Sequence, residues 1–123
     1  MIKSREVGQV ISPAVASTLS AMLVSAVYNG YGKSAKVPGY KTAGKTGTAQ
    51  VPNENGPGYD PGQKITSFIG FAQVEDPQFI MLIKFDNPGG DVWGENTATP
   101  VFKEIAEEIF RYYQIPPTEE VKK

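Results

Sequence analysis

Thirteen glycines and ten prolines fall in clusters rather than evenly along the 123 residues, and their placement limits the fold more than any other feature. The clusters lie at Val37–Gly39, Pro52–Gly62, Asn87–Gly94 and Pro116–Pro117. Glycine weakens element interiors, and proline lacks the N–H that a helix interior or a sheet ladder needs. Each cluster is therefore a break, and the chain must consist of several short elements with at least two long loops. The length suits one domain or a piece of one, which at this size buries roughly two-thirds of its unfolded surface.

Between the breaks, periodicity names the elements. Arg5–Ile11 alternates weakly and is β-branched, which predicts a short edge strand. Ser12-Pro13 combines a capping hydroxyl with a residue whose missing N–H costs nothing at a helix start. Val15, Leu19, Met22, Leu23, Ala26 and Val27 then recur at helical spacing, and Asn29-Gly30 supplies a stop, so Pro13–Tyr28 is predicted helical. Tyr40–Val51 is rich in threonine and small residues and reads as a strand with bare backbone at Gly44 and Gly47. Pro52–Lys64 shows no period and is expected to be a loop. Ile65–Gln73 and Phe79–Asp86 are apolar runs joined by a turn around Asp76-Pro77, a β-hairpin whose second strand is expected to be the more deeply buried. Thr99-Pro100 repeats the cap-then-proline start. Val101, Phe102, Ile105, Ile109 and Tyr113 are expected to share the buried face of the helix that follows, which stops at Ile115-Pro116-Pro117. Residues 118–123 form a charged tail, expected to be disordered, leaving 1–117 as the folded part. The expected architecture is α/β of the α+β kind, an antiparallel three-stranded meander with an N-terminal amphipathic helix and a C-terminal helix.

Twelve Lys and Arg against thirteen Asp and Glu leave a net charge of −1, which argues against a nucleic-acid binder working through a broad basic face. With neither Cys nor His, disulfides, Cys or His metal sites and a histidine general base are excluded. No apolar run approaches the roughly 18 residues of a membrane span, and the N-terminal residues carry no signal-peptide core.

The densest cluster of glycine and polar residues is Gly39-Tyr40-Lys41-Thr42-Ala43-Gly44-Lys45-Thr46-Gly47-Thr48. From Gly39 to Thr46 the string satisfies the phosphate-loop pattern G-x-x-x-x-G-K-[ST], but such a loop must follow a buried strand and open a helix whose N-terminus meets the phosphates. Ala35–Pro38 is no strand, and no helical stripe separates Thr46 from Pro52. Nucleotide binding is thus the weaker alternative. As a strand, the same residues do different chemistry. Thr46 and Thr48 share a face and can offer two hydroxyls to one carboxylate. Lys45 adds a positive potential, and Gly47 lets a ligand backbone lie against the strand edge.

Lys-Thr-Gly is also one of three motifs of active-site serine penicillin-binding enzymes. VISPAVASTLSAMLVSAV, VPGYKTAGKTGTAQV, ITSFIGFAQVEDPQFIMLIKFDNP and NTATPVFKEIAEEIFRYYQIPP, in order over most of Val10–Pro117, resemble the C-terminal part of the transpeptidase domain of class B penicillin-binding proteins. These are the peptidoglycan D,D-transpeptidases of elongation and division. The resemblance implies the penicillin-binding and serine β-lactamase-like fold, with Lys45-Thr46-Gly47-Thr48 on the strand that walls the active-site cleft. It further implies that Lys45 supports the catalytic groups. Thr46 and Thr48 would bind the carboxylate of a D-Ala-D-Ala stem or a β-lactam, and the Thr48 N–H would be one of two oxyanion donors. It implies no metal and no cofactor, a location on the extracytoplasmic face of the bacterial membrane with the anchor elsewhere, and the rest of the domain as partner.

Two of the three motifs are missing. No lysine here has a serine three residues before it, and no serine is followed two positions on by asparagine. A Ser-x-x-Lys pair supplies the nucleophile and its proton acceptor, so the chain alone is expected to be inert, as a truncated reading frame or gene fragment would be. A non-catalytic stem-peptide-binding module is the other alternative. Glu54 and Asp60 read as solvated, Asp86 as a strand end, and Trp93 with Gly94 either as a border of the cleft or as surface packing.

Overall fold

The computed structural model describes residues 7–90 and 92–119. Helix α1 spans Pro13–Tyr28, with the Ser12 hydroxyl accepting from the Val15 N–H at 3.3 Å and the Asn29 N–H closing its last turn on the Ser25 carbonyl. A 3-10 turn at Lys33–Ala35 leads into strand β1, Thr42–Pro52. Strand β2, Tyr59–Ala72, and strand β3, Met81–Asp86, complete an antiparallel sheet in the order β1-β2-β3. Helix α2, Gly94–Tyr112, crosses back over it. The three-stranded meander with two helices is as the sequence predicts.

The register explains the core. Residues directly opposite across an antiparallel pair share a face, so Thr42–Ala72, Gly44–Gly70, Thr46–Phe68 and Thr48–Thr66 all face one way, with Met81, Ile83 and Phe85 of β3 beside them. On that face α2 lays Ala98, Phe102, Ala106 and Phe110, a strict four-residue repeat, all buried. Phe68 and Phe102 meet edge to face with centroids 4.9 Å apart. Tyr40 stacks on Phe110 at 3.8 Å and donates its hydroxyl to the Ile115 carbonyl at 2.6 Å, pinning the end of α2 to the start of β1. Burial pushes the Tyr40 hydroxyl pKa upward. Thr118 and Glu119 both donate their N–H to the Gly39 carbonyl, so the start of the tail is tied down, and residues 120–123 lie outside the described residues.

Several expectations are corrected. Val7–Ile11 forms no strand and is exposed, and Arg5 and Glu6 lie outside the described residues. Residues 59–64, read as loop, open β2. Their pairing is broken by a bulge, since Gln50 faces Lys64 while the next residue, Val51, faces Asp60, and Pro61-Gly62 in that gap hid the strand. The deeply buried strand is β2, because it is the central one; β3 at the edge alternates half-buried and exposed. Helix α2 begins at Gly94, before the Thr99-Pro100 signal, and holds Pro100 in its second turn. Its first turns are secured by other bonds, with the Thr97 and Thr99 hydroxyls donating to the Trp93 and Glu95 carbonyls. The expected buried face is rotated, since Ile105 and Tyr113 are exposed and only Phe102 of the five is buried.

The apolar stripe of α1 is largely bare. Val15, Leu19 and Met22 are between 44% and 62% exposed, and only Val27 is buried. The sheet face opposite α2 is also uncovered around Ile69 and its cross-strand neighbour Leu82, which are exposed, although Ala43 nearer α1 is buried.

Candidate functional site

Strand β1 is an edge strand among the described residues, and this edge is where Lys45, Thr46, Gly47 and Thr48 sit. Strand alternation puts Thr46 and Thr48 on the α2 face and Lys45 with Gly47 on the other. The Lys45 side chain nevertheless bends round the edge, and its Nζ donates to the Thr46 carbonyl at 2.9 Å. That carbonyl is therefore turned away from β2. The backbone groups of a strand residue point to one side and alternate along the chain, so the Thr48 N–H is turned to the same open side. Two hydroxyls, one ammonium and one unpaired-edge amide thus converge on a short stretch of backbone.

A cleft of about 390 Å³ opens there, lined by Tyr31, Lys45, Thr46, Thr48, Trp93, Gly94 and Glu95. Its far wall is the first turn of α2. Gly94 lies so near the sheet that a Cβ there would stand 2.6 Å from the Ser67 carbonyl oxygen and 3.0 Å from that of Gly47. Thr97, one turn on, shares a hydrogen bond with the buried Thr66 hydroxyl at 2.8 Å and so fixes the helix against β2. Lys64 lies over the Trp93 ring at 4.8 Å, a cation–π contact that orients the indole at the cleft rim.

The four residues named from sequence are together, and Trp93 with Gly94 borders the cleft. Tyr31 and Glu95 were not foreseen. Tyr31 follows a helix stop in a glycine-rich turn, and Glu95 precedes the apparent start of α2, so neither carried a periodic signal. Glu54 is exposed in the β1–β2 loop, and Asp60 accepts from the Gly62 N–H and the Gln63 amide within that hairpin. Asp86 ends β3 and pairs with Lys84 at 2.5 Å. The Gly39–Thr46 string runs into a strand, and no helix follows before β2, so it lacks the helix N-terminus that a phosphate loop requires. Among the described residues no cluster of His, Cys, Asp or Glu has the makings of a metal site, and no helix is long and apolar enough to cross a membrane.

On the side of the sheet near α1, Lys41 pairs with Glu75 at 2.5 Å. That hydrogen bond lowers the Glu75 carboxyl pKa and raises that of the Lys41 ammonium.

Comparison with known proteins identifies the family and the fold. The family described as "Penicillin binding protein transpeptidase domain" matches residues 3–107. A "Peptidoglycan D,D-transpeptidase FtsI homolog" of Mesostigma viride is 38% identical over 111 residues, which are 89% of this chain and 18% of that relative. Among solved structures, the transpeptidase domain of Burkholderia pseudomallei penicillin-binding protein 3 superposes with a TM-score of 0.80 at 34% identity, over 92% of this chain and 34% of the other. Penicillin-binding protein 3 of the tuberculosis mycobacterium, solved with ampicillin, gives a TM-score of 0.75 at 31% identity, over 89% of this chain and 26% of the other. The chain thus spans less than a fifth of the Mesostigma relative and about a third of the Burkholderia domain. With one strand bearing Lys-Thr-Gly-Thr along an open cleft, and with that match over most of its length, the chain belongs to the penicillin-binding protein transpeptidase domain family.

Proposed function

We propose that this chain is the carboxylate-gripping wall of a peptidoglycan D,D-transpeptidase of the cell envelope. The observation that carries the reading is the edge of β1, where Thr46 and Thr48 present hydroxyls on one face and the Thr48 N–H faces outward. A stem peptide ending in D-Ala-D-Ala, or a β-lactam, sets its carboxylate between those hydroxyls under the potential of Lys45. Gly47, without a side chain, leaves the edge open to the ligand backbone. The scissile carbonyl oxygen then lies against the Thr48 N–H. Oxyanion donors of this kind contribute roughly 2.7–4 kcal/mol to the transition state in hydrolases studied by mutation.

The chemistry requires a serine from outside this chain. Its hydroxyl oxygen attacks the carbonyl carbon, its proton passes to a neighbouring base, and the bond to the terminal D-Ala breaks as the leaving amine is protonated. An amine from a neighbouring strand then attacks the acyl-serine ester and releases the serine. The rest of the domain is accordingly the principal partner, and the bare faces of α1 and of the sheet are the surfaces it would cover. Residues 1–117 act as one unit in that assembly. No metal or cofactor enters.

Binding without acylation is the test. The chain mixed with benzylpenicillin is expected to show saturable shifts of the Lys45–Thr48 amides by NMR and no added mass on the intact protein. Thr48→Val should abolish the shifts. A covalent adduct, or binding indifferent to Thr48→Val, would overturn the reading. Magnesium-dependent ATP binding lost on Lys45→Ala would put the nucleotide reading in its place.

A further inference from the structure

Asparagine is followed by glycine twice in this chain, at Asn29-Gly30 and Asn55-Gly56, and the fold treats the two pairs differently. The pairing matters because the backbone nitrogen of the following residue can attack an asparagine side-chain amide. Glycine, with no side chain and the widest range of backbone angles, crowds that approach least. Asn55 and Gly56 lie at the tip of the β1–β2 hairpin, and both are exposed. Among the described residues, neither the Asn55 side-chain amide nor the Gly56 N–H makes a hydrogen bond. Nothing lies within 4 Å of a Cβ built on Gly56. The Asn55 N–H donates to the Asn53 Oδ1 at 3.1 Å, which leaves the Asn55 side chain free to turn.

Asn29 is held. Its N–H closes α1 on the Ser25 carbonyl at 2.8 Å, and its side-chain amide donates to the Ser25 hydroxyl at 3.1 Å. Gly30 packs so closely on the helix end that a Cβ there would stand 2.7 Å from the Ala26 carbonyl oxygen.

We propose that Asn55 is a site of spontaneous deamidation, and that the end of α1 protects Asn29 from the same reaction. The Gly56 nitrogen bonds to the Asn55 side-chain carbonyl carbon, and the bond from that carbon to Nδ2 breaks. Ammonia departs with the hydrogen that the Gly56 nitrogen gives up. Water then opens the succinimide at either of its carbonyls, leaving aspartate or isoaspartate at position 55. Each product adds a negative charge to residues 53–60, which already carry Glu54 and Asp60 and no base. Isoaspartate also inserts a methylene into the main chain of the hairpin that prolongs β1 beyond Thr48. The proposal stands apart from the carboxylate-binding reading and does not need it.

The test is to age the chain in mildly alkaline buffer at body temperature and follow each asparagine by mass spectrometry. Trypsin releases residues 6–33 and 46–64 as separate peptides, so the two Asn-Gly pairs are read independently, and fragmentation tells Asn55 from Asn53. Freeing Asn29 requires two hydrogen bonds to break, so Asn55 is expected to convert at least about tenfold faster in the folded chain. In urea, where the end of α1 is melted, the ratio of the two rates is expected to fall to about one. Gly56→Ala should slow conversion at position 55 several-fold, because the methyl crowds the attacking nitrogen. Equal rates in the folded chain would overturn the proposal, as would an Asn55 that reacts in urea and stays intact when folded. A rate ratio that persists in urea would remove the helix end as the source of protection.

Discussion

Replacing Gly94 with alanine sets helix propensity against packing, and the structure fixes which prevails. In a helix, alanine is favoured over glycine by about 0.8–1.0 kcal/mol, so propensity alone makes the substitution stabilising. At Gly94, however, the new methyl would stand 2.6 Å from the Ser67 carbonyl oxygen and 3.0 Å from that of Gly47, both backbone atoms that no rotamer change can move aside. Ordinary contact needs a retreat of roughly 0.8 Å, either of the first turn of α2 or of the paired strands beneath it. Overpacking of this kind costs about 1–3 kcal/mol, which exceeds the propensity gain over most of its range. We expect Gly94→Ala to destabilise the chain by up to about 2 kcal/mol in urea denaturation followed by circular dichroism at several protein concentrations. We also expect it to displace the amide resonances of Thr46–Thr48, because the strain falls on the strand that carries them. Gly56→Ala is the control, since nothing lies within 4 Å of a Cβ there, and it should be neutral or slightly stabilising. A Gly94→Ala chain as stable as the parent would refute the close seating of α2 on the β1–β2 pair.

Two further outcomes follow from local geometry. The Glu75 carboxyl pKa is held below its ordinary 4.5, chiefly by the Lys41 hydrogen bond. A depressed carboxylate contributes stability that is present above its unfolded pKa and lost as the pH falls through its folded one. The melting curves of the parent and Glu75→Gln should therefore differ at neutral pH and converge as acid protonates the carboxylate; a gap that persists once Glu75 is protonated would remove the pair as the cause. Gln114 stands just past α2 at φ 54°, while the Ile115 N–H bonds back to the Phe110 carbonyl to close the helix end. Gln114→Gly should raise stability by about 0.5–1 kcal/mol, because a side chain costs about that much or more in the left-handed region, and an unchanged urea midpoint would contradict it.

The legible parts of this fold were those where one local rule decided the outcome. Ser12-Pro13 and Asn29-Gly30 bounded α1 to the residue, and the Thr-Gly alternation of 45–48 marked the strand of the candidate site. The illegible parts were those where tertiary contacts overrode the local rule. Residues 59–64 join β2 although Pro61 and Gly62 argue against a strand, because the hairpin absorbs them in a bulge. Pro100 looked like the start of α2, yet the seating of Gly94 on the sheet and the hydroxyl bonds of Thr97 and Thr99 carry the helix through it. The rotation of the buried face follows from that earlier start, with small residues Ala98 and Ala106 filling positions that a search for large apolar side chains passes over. Glu95 escaped notice for the same reason, since only the extended helix brings it to the cleft. The α1 stripe was found at the right spacing, but spacing does not reveal whether a face has anything to pack against.

The bend of Lys45 onto the Thr46 carbonyl has a consequence for any molecule that adds itself to this edge as an extra strand. The acceptor it needs is already occupied by an ammonium tethered one residue away, so docking is an exchange, with the lysine released as the newcomer's N–H arrives. If the newcomer carries a carboxylate, as the proposed function has it, the displaced ammonium is free to meet it. The same self-contact shields the bare edge from idle pairing with another copy while no ligand is present.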